Sequence, residues 1–420
     1  MSAPKIDLLT TFTDVDILTN KGLQKNTSIT IENNTIRSIG EIHGKVFPYP
    51  GYLLLPGLIN SHTHSPMNFL RDRCHGVENM IENIFFKTES QLTSELTKNL
   101  SYPYILSGLK SGVTTFNEHY YFCAGIAQAF EKIGLRAYIG ETLADLGGAF
   151  PSSDGLDHFK RQISQWNYSD RIKPTLCPHA ADTVSPEYAK KIADFSKSQK
   201  IPMHFHLAQR KSEYDSLIKQ YGRTPVELAF EWGWLSERSL AVHLLHVDDK
   251  DIELLKDSGT SAVSCPSSQI LYEFLAPVEK FYNAGINLSL GTDCAASNDE
   301  ADVLSELKTL ALLLKDRGIM DINLYQNLFK TVTENPAQIL DAPVGEITPG
   351  KLADIVFVKQ TLETLPLRDI WTHIIFSYKS QHVDHVMIDG RFVLYDKKLT
   401  LTNESDLESQ FKYSMDQIKF

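Results

Sequence analysis

Gly57-Leu58-Ile59-Asn60-Ser61-His62-Thr63-His64 decides how the rest of the chain is read. It is an apolar run that ends in two histidines one residue apart. In an extended strand, side chains at i and i+2 share a face. His62 and His64 therefore project together from the strand's end, as two imidazoles must to grip one cation. In a chain with 14 histidines such a pair carries little by itself. Its weight comes from the Leu53-Leu54-Leu55-Pro56 flank and from further histidines and an aspartate closing later apolar runs.

From Gly51 onward, short apolar runs alternate with helical ones. The strands read from the sequence are Gly57–His64, Val113–Tyr120, Arg136–Leu143, Lys173–His179, Pro202–Gln209, Leu240–Val247, Ala262–Pro266 and Asn287–Asp293. Amphipathic runs separate them, among them Glu95–Lys110, Gly125–Ile133, Pro186–Ser198, Pro225–Trp232, Asp249–Ser258 and Pro277–Asn283. Eight such repeats predict an α/β chain closed as a (β/α)8 TIM barrel. An open doubly wound sheet is the alternative, but no Gly-x-Gly-x-x-Gly follows the first strand to bind a nucleotide there.

Residues 1–50 read instead as a β meander of Ile6–Phe12, Asp16–Thr19, Ser28–Glu32 and Thr35–Gly40 with turn residues between. It is too small to stand alone. Its natural partner is the second β segment, Gly345–Gln360 and Val383–Lys397, with turns at Pro349-Gly350 and Asp389-Gly390. The expected division is a barrel over 56–344 inserted in a composite β-sandwich from 1–55 plus 345–420. Leu407, Phe411, Met415 and Ile418 recur at helical spacing and predict a docked terminal helix.

Composition narrows the function classes. With 42% hydrophobic and 22% charged residues the chain can fill a large core. A net charge of −11 and no basic run argue against nucleic acid or an anionic membrane as partner. No apolar run approaches ~18 residues. Five scattered cysteines without Cys-x-x-Cys fit a reducing compartment. A cytoplasmic protein with a small-molecule substrate is expected, and at this size a homo-oligomer.

Barrel active sites lie at the carboxyl ends of the strands, and those ends collect a pattern. Strand one closes with His62 and His64, and strand two with Glu118-His119. Strand four closes with His179, strand five with His204, His206 and Gln209, strand six with His243, and strand eight with Gly291-Thr292-Asp293. His204, one pleat deeper than His206, reads equally as a buried hydrogen-bonded histidine. His246 has the opposite parity to His243 and suits a loop role. His119 is a candidate substrate contact. Three imidazoles and one carboxylate fit Zn²⁺, and Fe²⁺ by ligand type. Lys173 opens strand four at the opposite end of the barrel, so no lysine is placed to bridge two metals, and one metal is expected. Such a cation would bring a water to a pKa near ~7. Asp293 could take that water's proton, and His243 could hydrogen-bond the developing anion.

Five segments together resemble the metal-dependent amidohydrolase superfamily. They are Leu55–His64, Ser111-Gly112-Val113-Thr114-Thr115-Phe116, Val242-His243-Leu244-Leu245-His246, Gly291–Asp293 with Ala295-Ala296-Ser297-Asn298, and Gly350-Lys351-Leu352-Ala353-Asp354. The branch is that of cytosine/guanine deaminases, triazine hydrolases and methylthioadenosine/S-adenosylhomocysteine deaminases. The Ala-Ala-Ser-Asn run, His64-Ser65-Pro66-Met67 and Leu70-Arg71 look most like the adenosine-derivative deaminases. The resemblance implies His62, His64, His206 and Asp293 as zinc ligands and His243 as the catalytic imidazole. It places His179, Ser297 and Asn298 near substrate, and Glu89 near ribose hydroxyls; read without it, Glu89 is a solvated helix-start charge.

The family's deaminases carry a proton-shuttling Glu three residues after the strand-five histidine, and here that position is Gln209. An amide can hydrogen-bond a ring edge but cannot shuttle a proton, and losing a general acid/base typically costs ~10²–10⁴ in rate. Glu213, four residues on, reads mainly as a surface helix charge. Cys265-Pro266-Ser267-Ser268-Gln269 likewise departs from the relatives' Asn-Pro-x-Ser-Asn. The expected activity is hydrolytic attack on a C–N bond of a nitrogen heterocycle, most simply deamination of an adenosine-type substrate. A triazine-type reaction with another leaving group, or a silent metal-binding barrel, is the alternative. The unrelated base-editing deaminase pattern, His-x-Glu with Pro-Cys-x-x-Cys, is absent.

Overall fold

The computed structural model describes residues 7–73, 76–77 and 80–420, with Glu82 described by its backbone only. Ile6, the expected start of the first strand, and Cys74 lie outside the described residues.

The barrel strands form two parallel arcs. One contains Leu58–Thr63, Val113–Tyr120, Arg136–Leu143 and Ile172–Pro174, with Cys177–Pro178 also pairing the third strand. The other contains Met203–Leu207, Ser239–His243, Ser261–Ser264 and Leu288–Leu290. Single parallel bridges join them at both seams, Thr63 to Asp293 and Leu176 to Met203. At the first seam Asp293 N donates to His62 O (3.0 Å) and His64 N to Asp293 O (3.2 Å). The expected continuous fourth strand, Lys173–His179, is two short pieces. Pro174 and Pro178 have no N–H to give a ladder.

Local signals set the surrounding helices. Pro225–Trp232 and Asp249–Ser258 start at capping boxes, Thr224 with Glu227 and Asp248 with Asp251. They end at Gly233 (φ 82°) and Gly259 (φ 72°), in the left-handed conformation glycine tolerates.

Both chain ends pair into one eight-stranded sheet. Its N-terminal strands are Leu9–Thr19, Gly22–Glu32, Thr35–Ile39 and Lys45–Pro56, and its C-terminal strands are Ile355–Lys359, Val383–Ile388, Arg391–Tyr395 and Lys398–Leu399. The first two expected strands are one, made irregular near Asp14 (φ 60°). The sheet curls over its own core, so that Phe12 and Phe392, four strands apart, bring their rings to 5.9 Å. The terminal helix Glu404–Met415 docks on Ser94–Lys110, where Asn99 Nδ2 donates to Ser414 Oγ (3.0 Å).

At the amino-terminal rim of the barrel, Arg136 donates from Nε and Nη2 to the two oxygens of buried Asp354, at 2.8 and 3.0 Å. This bidentate pair ties the third barrel strand to the Gly350–Asp354 segment. Lys173 lies exposed near the same rim. Among the described residues no helix is long and apolar enough to cross a membrane.

Candidate metal centre

Strand pleat and register bring the expected side chains to one rim. Gly291 allows the eighth strand to approach the first, since a Cβ there would stand 2.8 Å from His62 Cβ. Asn60 fixes the junction by donating from Nδ2 to Thr292 Oγ1 (2.6 Å) and accepting Thr292 N at Oδ1 (3.1 Å). Past the strand ends the chain turns sharply. Ala208 (φ 52°), His243 (φ 81°) and Asp293 (φ 63°) occupy the left-handed region, a cost of order 1–3 kcal/mol each that clusters where geometry serves a site.

His62, His64 and His206 offer ligand atoms within 4.8 Å of one another, as do His62, His243 and Asp293. Hydrogen bonds fix which nitrogens are bare. Nδ1 of His64 faces the His119 carbonyl, and Nδ1 of His206 faces the His179 carbonyl at 2.8 Å. Those nitrogens must carry the protons, so both Nε2 atoms present lone pairs. The two Nε2 atoms face each other at 3.1 Å. His62 Nε2 is buried without a hydrogen-bond partner, and Asp293 Oδ1 lies 3.6 Å from the Nε2 of both His62 and His64. Converging lone pairs beside a carboxylate are repulsive until a cation sits among them. The set therefore fits one divalent metal of the zinc class.

Burial and then the charge of neighbouring His62 push His64 down to about 4, and burial pushes His243 down to about 3. Both imidazoles are neutral at physiological pH. Burial would raise Asp293, but the imidazoles of His62, His243 and His64 outweigh it and hold the carboxylate well below its usual range. Ser268 Oγ also donates to Asp293 Oδ2 at 2.6 Å. His243 Nε2 lies 3.9 Å from Asp293 Oδ2, and its backbone oxygen accepts Gln269 Nε2 (3.0 Å).

A cavity opens on this cluster. Gln209, His119, His179 and Glu89 all line it, with Met67, Phe85 and Phe86 among its apolar wall. Glu89 is buried, not solvated, and accepts the Tyr120 hydroxyl at 2.7 Å; burial pushes its carboxyl up to about 7. His179 Nδ1 pairs with Thr183 Oγ1 (2.8 Å).

Ser297, Asn298 and Glu213 have surroundings other than those expected, whereas His246 has the loop position expected of it. Ser297 and Asn298 do not reach the cavity wall. Ser297 Oγ meets Ser268 Oγ at 2.8 Å, and Asn298 Nδ2 donates to Thr292 O (2.9 Å) and Glu306 Oε1 (3.0 Å). The Ala-Ala-Ser-Asn run thus braces the eighth strand end from behind. Glu213 is no surface charge. It is buried in the cavity wall and accepts the backbone N–H groups of Ala208 (3.0 Å) and Gln209 (2.8 Å). Burial, then the charge of Asp182, pushes it up to about 7. His246 pairs with Glu273 (2.8 Å), away from the cluster.

Two residues that hydrogen-bond to the cluster or its flanks escape sequence reasoning. Ser268 lies in a segment marked only by its departure from the relatives' pattern, with no role to assign it. Glu118 accepts Thr63 Oγ1 and Ser65 N, both at 2.7 Å, and so grips the two residues that flank His64. Its only sequence signal is a carboxylate next to His119 at the end of the second strand.

Comparison with known proteins places this geometry. Residues 53–393 match the family model described as the amidohydrolase family. A 5'-deoxyadenosine deaminase of Methanothermobacter thermautotrophicus is 31% identical over 410 residues, 93% of this chain and 94% of its own. A 5-methylthioadenosine/S-adenosylhomocysteine deaminase of Thermococcus kodakarensis is 32% identical over 381 residues, 87% and 89% of the two chains. Among solved structures, an adenosine deaminase of Xanthomonas campestris with bound zinc superposes with a TM-score of 0.90 at 25% identity, over 98% of each chain. With the barrel, the cation-ready cluster and these matches together, the chain belongs to the amidohydrolase family and is a metal-dependent hydrolase.

Proposed function

We propose that the protein is an aminohydrolase that attacks a C–N bond of a purine-like heterocycle, most simply an adenosine derivative. The observation that carries this reading is the convergence of His62, His64, His206 and Asp293 at the floor of a cavity whose walls are partly apolar and partly carboxyl-bearing. The relatives' names point the same way. A bound divalent cation would supply Lewis acidity and a water acidified toward neutrality.

The chain's own residues supply the rest. Asp293 is ionised and positioned to take a proton. Neutral His243, with both ring nitrogens free of hydrogen-bond partners, can donate to charge developing at the attacked carbon's substituents. Gln209 can hydrogen-bond a ring edge, and Phe85 and Phe86 offer aromatic faces to a planar base. Glu89 and His179 suit hydroxyls or ring nitrogens farther out. The barrel, 56–344, is read as the catalytic unit, braced by 1–55 with 345–420. Among the described residues, Cys123, Cys177 and Cys265 are buried free thiols, which supports a reducing, cytoplasmic setting.

Gln209 favours a second reading, in which the leaving group needs less proton help, as in triazine-type hydrolysis. The test is a hydrolysis screen of zinc-loaded protein against adenosine derivatives, guanine, pterins and amino- and chlorotriazines, followed by ammonia or chloride release. Ammonia from an adenosine derivative supports the first reading and chloride alone the second. Absence of turnover on the whole panel refutes both.

A further inference from the structure

Beside the set already described lies a second group of donors that it does not use. His119 is near the end of the second strand, Cys177 is in the fourth, and His204 is one pleat deeper than His206 in the fifth. One donor atom from each lies within 4.8 Å of the others, and all three residues are fully buried or nearly so. Neither ring nitrogen of His119 has a hydrogen-bond partner although the residue is only 1% exposed. An imidazole buried in that state calls for an explanation. Cys177 Sγ stands 3.8 Å from the Glu118 carbonyl and 4.0 Å from His204 Nδ1, at the outer limit of sulfur contacts. The rings of His119 and His204 are 5.5 Å apart at 72°, edges converging instead of stacked. Two imidazoles and a thiol, with no carboxylate among them, select a thiophilic cation such as Zn²⁺ or Cd²⁺ over Mg²⁺ or Ca²⁺.

Proton counting links this group to the first. His204 Nε2 lies 2.8 Å from His62 Nδ1, which leaves His204 Nδ1 as the atom free to bind a cation. A neutral imidazole carries one N–H. When His62 donates from Nδ1 to His204 Nε2, His62 Nε2 is bare toward Asp293 and the His204 proton sits on Nδ1, toward Cys177. When a cation takes His204 Nδ1, that proton moves to Nε2 and is donated to His62 Nδ1. His62 then holds its own proton on Nε2 and cannot ligate. Cys177 releases its proton to solvent as it binds.

We propose that His119, Cys177 and His204 form a second cation site for a thiophilic divalent metal, and that filling it withdraws His62 from the first site, so that the two exclude one another. This goes beyond the reading above, which needs one cation and none of these three as ligands.

The test is titration of the metal-free full chain with Cd²⁺, followed by ultraviolet cadmium–thiolate charge-transfer absorption. A band saturating at about one cadmium per chain is expected. It should vanish in Cys177→Ser and persist in Cys123→Ser, whose thiol is buried elsewhere. In His119→Gln, binding should weaken by at least about tenfold, since even outer-shell losses cost that much; this variant keeps the test decisive if Cys177→Ser does not fold. In zinc-loaded protein, growth of the band should release zinc one for one. No band either in the wild type or in His64→Ala, where the first site lacks a ligand, a band surviving in Cys177→Ser, or unweakened binding in His119→Gln overturns the site. Retention of both cations together overturns the exclusion.

Discussion

Replacing Glu89 by glutamine tests the electrostatics of the cavity wall apart from any substrate. Glu89 is 4% exposed, and burial raises its carboxyl from 4.5 to about 7 against the opposing Tyr120 hydrogen bond. In the unfolded chain the carboxyl ionises near its ordinary value, while in the folded protein it stays protonated until about pH 7. Its contribution to stability is therefore fully present below pH 4.5 and is lost as the pH rises to about 7. At 1.36 kcal/mol per pH unit the full loss is about 3 kcal/mol, of which about 2.5 kcal/mol falls between about pH 5 and pH 8. The Glu89→Gln variant would keep an acceptor for Tyr120 and lose the titration. A constant offset from the new amide, about 1–3 kcal/mol if one N–H goes unpaired, does not change with pH. The assay is urea unfolding of metal-free wild type and variant across that range. The stability difference, variant minus wild type, should rise by about 2.5 kcal/mol toward high pH. Parallel curves would refute the reasoning, because they would mean that Glu89 is already ionised in the folded protein at pH 5.

Other outcomes follow from the same geometry. Gln209→Glu should raise deamination of an adenosine derivative by about 10²-fold or more, read as initial rates of ammonia release; an unchanged rate would mean that another group already carries the proton. Ser268→Ala removes the hydroxyl from Asp293 and should lower kcat about tenfold or more with little change in KM, in steady-state kinetics. Arg136→Met strands the buried Asp354 carboxylate and should cost about 3–5 kcal/mol in urea unfolding.

The barrel was legible because its signals are local and redundant. Strand parity alone sends His62 and His64 to one face, and the caps at Thr224 and Asp248 define their helices without tertiary help. The strand Lys45–Pro56 escapes the sequence because Pro48, Pro50 and Gly51 interrupt its apolar pattern. It is nonetheless held by pairing to Leu9–Thr19 and Ile355–Lys359, contacts between residues far apart in sequence. Glu213 and Glu89 were misjudged or left open for one reason. Whether a carboxylate is buried depends on what packs over it, and helix position does not reveal that. Ser297 and Asn298 follow Asp293 closely, yet the left-handed turn at Asp293 carries them behind the strand end. Ser268 needed the register of the seventh and eighth strands before its partner could be known.

His62, His64, His206 and Asp293 together should hold one catalytic cation. Metal content by inductively coupled plasma mass spectrometry, read beside ammonia release on the same samples, tests it most directly. Wild-type protein should carry about one zinc per chain, lose turnover on chelation and regain it with zinc, and His62→Ala should lose both metal and turnover. Turnover that survives complete removal of metal, or a His62→Ala variant that keeps its zinc and its rate, would contradict it.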